Sequence, residues 1–453
     1  MGDLHRRLLR GGGRLQYTSV NVQSIKGLVQ ADRVHRAVYT DPQLFELELD
    51  RIFGRAWLVL GHESQVAHPG DFFTTRMGRE PIIVTRHTDG SVRVLVNRCA
   101  HRGARVCEAA DGTTAEFVCA YHGWTYGTDG RLAGLPLPEG YARPAAQSID
   151  GGLARVPRVD AYRGFLFASL AAHGPTLAEF LGPLRASFDD FVERAPEGEV
   201  EVAGGVFKHA YRGNWKLVLE NHNDTVHPVF VHASSIWAAR REPTAEGAYS
   251  EIGVRQMLQN GAPWEVWENT GLWVAGHGHS WMADYHDDSR LVAALAHPAF
   301  AEYRAALERR LGREGAARVL GELRWNSIVY PNCSFMSQFR QLRIVHPIAV
   351  DRTVVYAYSF RLKGAPERMF RDTVAFSNVV NGTASPVLTD DLEVYERTQE
   401  GLGARGSDWV FLGRGQGGDL PDRDGTLRGR TGTSEVHIRN QLAAWLEYMT
   451  AES

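Results

Sequence analysis

Two thiols and two imidazoles stand in paired spacing, Cys99-Ala100-His101 and Cys119-Ala120-Tyr121-His122, with seventeen residues between the pairs. This spacing suits a [2Fe-2S] cluster with mixed ligands, in which thiolates hold one iron and neutral imidazoles the other. Replacing two anionic thiolates with neutral rings raises the potential at which a cluster takes an electron, so the pattern marks an electron-handling protein. Gly103 and Gly123 closely follow the two histidines, where they let the backbone fold tightly around the sulfurs. Zinc sites use the same residue types, but the single residue inside the first pair fits their usual ligand gaps badly. The chain has four cysteines in 453 residues, and its opening does not read as a secretory signal. Reduced thiols in a cytoplasmic protein are therefore expected, rather than a Cys99–Cys119 disulfide. Cys107 and Cys333 read as small buried hydrophobes.

A second centre begins about a hundred residues later, in the run from Glu220 to His232. Three histidines (His222, His227, His232) and two acids (Glu220, Asp224) crowd into its thirteen positions. Two histidines and one carboxylate on one face of ferrous iron leave neighbouring coordination positions open for dioxygen and substrate. His227 and His232 are the expected ligand pair, with His222 a bystander. Five residues turn an ideal helix by about 140°, so both rings reach one metal only if the chain bends, and Pro228 offers a place for that. A partly buried polar helix with satisfied histidines is the plain alternative. A competing group, His277 and His279 with Asp284 and His286, places alternate histidines where an extended strand would project them together. It reads instead as a loop near the substrate pocket or a subunit contact. Gly401 to Gly406 spell G-x-G-x-x-G, but no β-rich run precedes them and no helix follows, so the dinucleotide reading lacks its context. Electrons must then come from another protein.

The elements that position these residues follow from the pattern. With 43% hydrophobic and 23% charged residues and a formal net charge of -3, the chain suits a soluble protein of two or more domains. The charge balance argues against nucleic-acid binding, and no apolar run approaches the roughly 18 residues of a membrane span. Residues 1–38 read as an N-terminal arm, basic at Arg6, Arg7, Arg10 and Arg14, followed by a helix. Residues 39–170 have β rhythm. Strand-like runs at 81–86 and 92–97 flank Asp89-Gly90, and a second turn signal, Asp129-Gly130, follows the second ligand pair. The four ligands would sit in two loops meeting at the tip of a small antiparallel sandwich that closes after a strand at 164–170. From 171 to 453, helices are expected where Leu184, Phe188, Phe191 and Val192 recur, near 301–323 and near 434–449, with a strand at 354–360. The stripe Ile438, Leu442, Trp445 and Met449 reads as core.

Both motifs, in this order, resemble the large α subunit of the Rieske non-heme iron ring-hydroxylating oxygenases, and the likeness extends from residue 32 to the C-terminal helix. The resemblance implies an α+β fold, a small antiparallel β Rieske domain followed by a helix-grip catalytic domain of antiparallel sheet and helices. It implies that Cys99 and Cys119 bind one cluster iron, His101 and His122 the other, and His227 and His232 a mononuclear Fe(II). Asp224 would bridge that iron to a cluster histidine of the neighbouring subunit, His122 being the match. The family's Asp-Asp pair followed by glutamine matches Asp390, Asp391 and Gln399, which selects Asp391 as third ligand. Asn221 would be an adjacent or distant coordinating group. The implied partners are an NADH-dependent reductase, a ferredoxin or both, an aromatic substrate, and dioxygen. A homotrimer is implied, or an α3β3 assembly with a small β subunit. The implied reaction is cis-dihydroxylation of an aromatic ring. The likeness is greatest to the benzoate-type branch, whose carboxylate substrate would want an arginine fork, with Arg340 and Arg343 as candidates. Two alternatives stay open: a Rieske monooxygenase or oxidative O-demethylase, and a pure electron carrier. A respiratory Rieske protein is excluded, because Ala104 and Tyr121 stand where that family has disulfide cysteines.

Overall fold

The computed structural model describes residues 22–141, 151–241, 251–284, 300–321, 323–382 and 384–451. The basic arginines of the N-terminal arm and His286 lie outside the described residues, as does the side chain of Asp284. No described helix is long and apolar enough to cross a membrane.

Strands Val92–Val96, Glu80–Arg86, Asp71–Met77 and Asp111–Thr113 form a four-stranded antiparallel sheet in that order. The expected hairpin is there, turning through Gly90 at φ +82, a conformation that glycine adopts freely. A second antiparallel sheet, Glu116–Val118, Thr125–Gly127 and Leu132–Gly134, turns at Asp129-Gly130 as the sequence predicts. Phe72, Ile83, Leu95, Phe117, Trp124 and Tyr126 pack together between the sheets, with Cys99 and Cys119 in the same cluster. A third sheet joins Arg158–Tyr162, Phe165–Ser169 and Leu58–His62, and the last two strands pack into the large core shared with the C-terminal half.

That half is built on a nine-stranded sheet ordered 200–211, 352–362, 341–349, 333–336, 323–329, 280–284, 271–274, 427–428 and 420–421. The strand Gln341–Ala349 is buried over its first seven residues, which fits an interior strand covered on both faces. Six helices matter for the site: α1 (Pro42–Arg51), α2 (Trp215–His222), α3 (His227–Val231), α4 (Glu367–Asn381), α5 (Leu388–Leu402) and α6 (Val436–Thr450). Asn214 caps α2 by accepting from the Lys216 N–H. The stripe Ile438, Leu442, Trp445 and Met449 of α6 is buried as predicted, and so are Leu184, Phe188, Phe191 and Val192. The predicted helix at 301–323 spans Ala301–Gly321 and kinks at Gly312.

One buried acid locks α1, α2 and α6 together. Glu48 is fully buried and accepts from Lys216 Nζ at 2.5 Å, Trp215 Nε1 at 2.7 Å and Trp445 Nε1 at 2.6 Å. A lone buried carboxylate is costly, and three donors with one opposite charge offset that cost. The lock fixes the start of α2, whose C-terminal end leads into the second centre.

Candidate metal centres

The two cluster loops are built alike. Cys99 N–H donates to Ala104 O and Gly103 N–H to Cys99 O, and the pattern repeats with Cys119 to Trp124 and Gly123 to Cys119. Gly103 and Gly123, each four residues after its cysteine, have φ of +79 and +67. Each loop therefore needs the left-handed glycine that lets it curl round the sulfur. Both thiols are buried, and the rings of His101 and His122 lie 4.6 Å apart. No three of these four side chains bring ligand atoms within 4.8 Å of one another, as a single zinc ion would require. His101 Nδ1 is buried with no hydrogen-bond partner in the protein, which fits a metal-ligand nitrogen of a two-iron cluster.

Two aromatic residues to which the sequence assigns no role complete this site. Trp124 stacks on His101, 5.0 Å between centroids and 4° between planes. Tyr126 Oη accepts from Ala100 N–H at 3.1 Å and lies 3.1 Å from Cys99 Sγ, so its own hydrogen is free to point at the sulfur. Burial pushes the Cys99 thiol up, but the Tyr126 hydroxyl, the N–H groups of His101 and Arg102, and Cys119 together hold it below its usual value. The alternation of Trp124 and Tyr126 beside an inward Cys119 loop is the signal that would have found them.

In the second centre, His227 opens α3 and Pro228 occupies its second position, where a missing N–H costs nothing. The expected bend at Pro228 is not there. The irregularity comes at His232, which ends α3 at φ -96 and ψ 22 just before the helix Ala233–Arg241. The two rings then meet edge to face, 5.6 Å between centroids and 74° between planes. Asp391, in the first turn of α5, places Oδ1 3.7 Å from His227 Nε2 and 3.5 Å from His232 Nε2. Ligands about 2.1 Å from one ion stand about 3.0–3.5 Å apart, so a modest contraction would close the set. Among the described residues this trio is the one group gathered so closely. Asp390 lies on the far side of the His232 ring, Oδ2 3.6 Å from Nδ1, and does not join it. Asn221 Nδ2 donates to Asp391 Oδ1 at 3.4 Å. Burial draws His227 below its usual pKa, which favours the neutral ring a metal needs.

Asp224 lies just before α3 and accepts at Oδ1 from the N–H groups of Val226 (2.7 Å) and His227 (3.4 Å), with Arg414 Nη2 at 3.9 Å. His222 is a bystander to the metal set because both its nitrogens are taken. Arg343 Nη1 donates to its Nε2 at 3.0 Å, so Nδ1 carries the proton and faces Ser334 Oγ at 2.8 Å. Arg340 turns away: its guanidinium is held on α4 by Thr373 Oγ1 and Met369 O. His279 is likewise spent, with Nε2 on Phe180 O and Nδ1 accepting from Tyr330 N–H. His277 sits in a short 3₁₀ turn with φ +60, so the projection expected of an extended strand does not arise.

Two cysteines and two histidines suited to a mixed-ligand cluster on a small β domain, together with a two-histidine, one-carboxylate group in the second half, point to the class of two-centre iron oxygenases. Residues 56–150 match the family model of the Rieske [2Fe-2S] domain, and 198–450 that of the ring hydroxylating alpha subunit, catalytic domain. The chain is 36% identical to the alpha subunit of toluate 1,2-dioxygenase from Pseudomonas putida, over 92% of this chain and 89% of that one. It is 34% identical to the large subunit of 2-halobenzoate 1,2-dioxygenase from Burkholderia cepacia, over 87% and 83%. Its fold matches naphthalene 1,2-dioxygenase with indole in the active site at a TM-score of 0.78, 26% identity and 95% coverage of both chains. The chain belongs to the ring-hydroxylating dioxygenase alpha subunits, oxidoreductases with a Rieske [2Fe-2S] domain and a catalytic domain that binds mononuclear iron.

Proposed function

We propose that this chain is the terminal oxygenase that cis-dihydroxylates an aromatic carboxylate of the benzoate class, drawing electrons from a reductase, a ferredoxin or both. The observation that carries the reading is the convergence of His227 Nε2, His232 Nε2 and Asp391 Oδ1. In this reading residues 39–170 form the Rieske domain and 171–453 the catalytic domain. Cys99, Cys119, His101 and His122 would hold the cluster, and His227, His232 and Asp391 the mononuclear iron. When bound, the cluster supplies single electrons and the iron activates dioxygen.

The rest is done by the protein's own groups. The Tyr126 hydroxyl sits against Cys99 Sγ and helps draw its thiol below the usual value. Asn221 orients the Asp391 carboxylate, and Asp224 fixes the first turn of α3 and with it His227. His122 lies beside Tyr121, which is 56% exposed, so the cluster tip is open to a partner. The bridge from Asp224 to His122 would form across neighbouring copies, in a homotrimer or an α3β3 assembly. Relatives named as alpha or large subunits support a second kind of subunit.

Toluate and halobenzoate are aryl carboxylates, which supports that substrate class. Turnover of benzoate, salicylate or anthranilate by the holoenzyme with a reductase tests it, with two atoms from labelled dioxygen expected in the product. Activity confined to uncharged polycyclic aromatics would overturn it.

A further inference from the structure

Arg343 is 7% exposed on the strand Gln341–Ala349 and makes no ion pair within 4 Å among the described residues, while the Asp391 carboxylate acts on its charge from farther off. Its guanidinium carries five N–H donors, of which two are used, both on neutral acceptors. Nη1 donates to His222 Nε2 at 3.0 Å and Nη2 to Asn326 Oδ1 at 2.9 Å, while Nε is buried with no partner. A buried cation left in this state is expensive, and proteins keep such groups where something else completes them.

Its place in the fold says what that would be. Asn221 and His222 are adjacent at the end of α2. Asn221 donates to Asp391 Oδ1 and His222 accepts from Arg343, so Arg343 and the metal trio flank one helical turn. His222 and Asn326 are themselves fixed, by Ser334 Oγ and by the bond from Asn326 Nδ2 to His222 O at 2.6 Å, so the fork is pre-oriented. Cross-strand pairing puts Ser334 and Ala357 on the same face as Arg343, and this face of the sheet turns towards α2. Burial draws the guanidinium down to about 10, leaving it charged at neutral pH.

We infer that Arg343 is the specificity-determining anchor of this oxygenase, taking the carboxylate of an aryl carboxylate substrate on its unspent donors. The inference rests on the aryl-carboxylate reading above. The carboxylate supplies a directly paired opposite charge, and the fixed fork orients the ring relative to the Asp391 side of the site. An uncharged aromatic of the same shape would leave the cation unpaired and bind poorly.

The test compares benzoate with its neutral isostere nitrobenzene on the intact holoenzyme, as dissociation constants from equilibrium dialysis and product per chain in single turnovers after chemical reduction. The wild type should bind benzoate about 30- to 100-fold more tightly than nitrobenzene. R343Q should erase that preference, weakening benzoate and lifting from nitrobenzene the cost of an unpaired cation, and R343K should restore part of it. Iron content should stay unchanged. Where R343Q fails to fold, the wild-type ratio and R343K decide. An R343Q protein that keeps the benzoate preference, or a loss of iron and of both ligands together, would overturn the anchor. A wild type that converts uncharged aromatics and ignores benzoate would instead overturn the substrate class.

Discussion

Tyr126 reaches across the two cluster loops to Cys99, its hydroxyl oxygen 3.1 Å from the sulfur. The residue sits on the strand Thr125–Gly127, after the second ligand pair, yet it acts on the first.

That bond stabilises the extra negative charge of the reduced cluster more than the oxidised one. Tyr126→Phe is expected to lower the cluster's potential by about 60 mV, the equivalent of about 1.4 kcal/mol for one electron. A redox titration followed by electron paramagnetic resonance measures it, and an unchanged potential would mean that the hydroxyl does not point at sulfur.

Asp391 and Asp390 are neighbours with different geometry. Asp391→Asn should strip the mononuclear iron and abolish product formation while the cluster spectrum persists. Asp390→Asn should keep both, because its carboxylate reaches only the Nδ1 side of His232. Metal analysis with product assay separates the two, and equal loss from both variants would contradict the geometry.

Glu48→Gln leaves the Lys216 ammonium buried beside a neutral group. Equilibrium unfolding should show a loss of about 3–5 kcal/mol. Combining it with Lys216→Met should recover part of that loss, since no buried charge is then left alone.

Burial pushes the Glu220 carboxyl up to about 7, against the pull of the Tyr39 hydroxyl and Lys216. Its folded-state pKa thus lies above the value of about 4.5 in the unfolded chain, where the carboxyl ionises first. The folded state then binds more protons between these values, and stability falls as pH rises through that window. About 3 kcal/mol present below pH 4.5 is lost by pH 7. Glu220→Gln should flatten the stability profile between those pH values, measured by urea titration at several pH values. A slope identical to that of the wild type would place the titration elsewhere.

Much of the site was legible because its chemistry is local. Cys99, His101, Cys119 and His122 carry their spacing in the chain, and Gly103 and Gly123 mark the curls that spacing requires. The hairpin around Gly90 and the stripe of α6 follow from period and turn chemistry alone. What stayed hidden spans long separations. Glu48 meets Lys216 across 168 residues and Trp445 across 397, and no local pattern links them. Arg340 and Arg343 look equivalent in sequence, but Arg340 takes φ +53 and so sends its side chain to α4, leaving Arg343 beside His222. The bend at His232 escaped because proline seemed the obvious hinge, and in the first turn of a helix it is not one.

Two separate iron centres in one chain can be counted. Anaerobic metal and sulfide analysis of the purified protein, with electron paramagnetic resonance, does so most directly. Three irons and two acid-labile sulfides per chain with mixed-ligand Rieske features are expected, falling to two irons in His227→Ala with loss of oxygen consumption. Two irons in the wild type, with oxygen consumption intact in His227→Ala, would contradict a second centre.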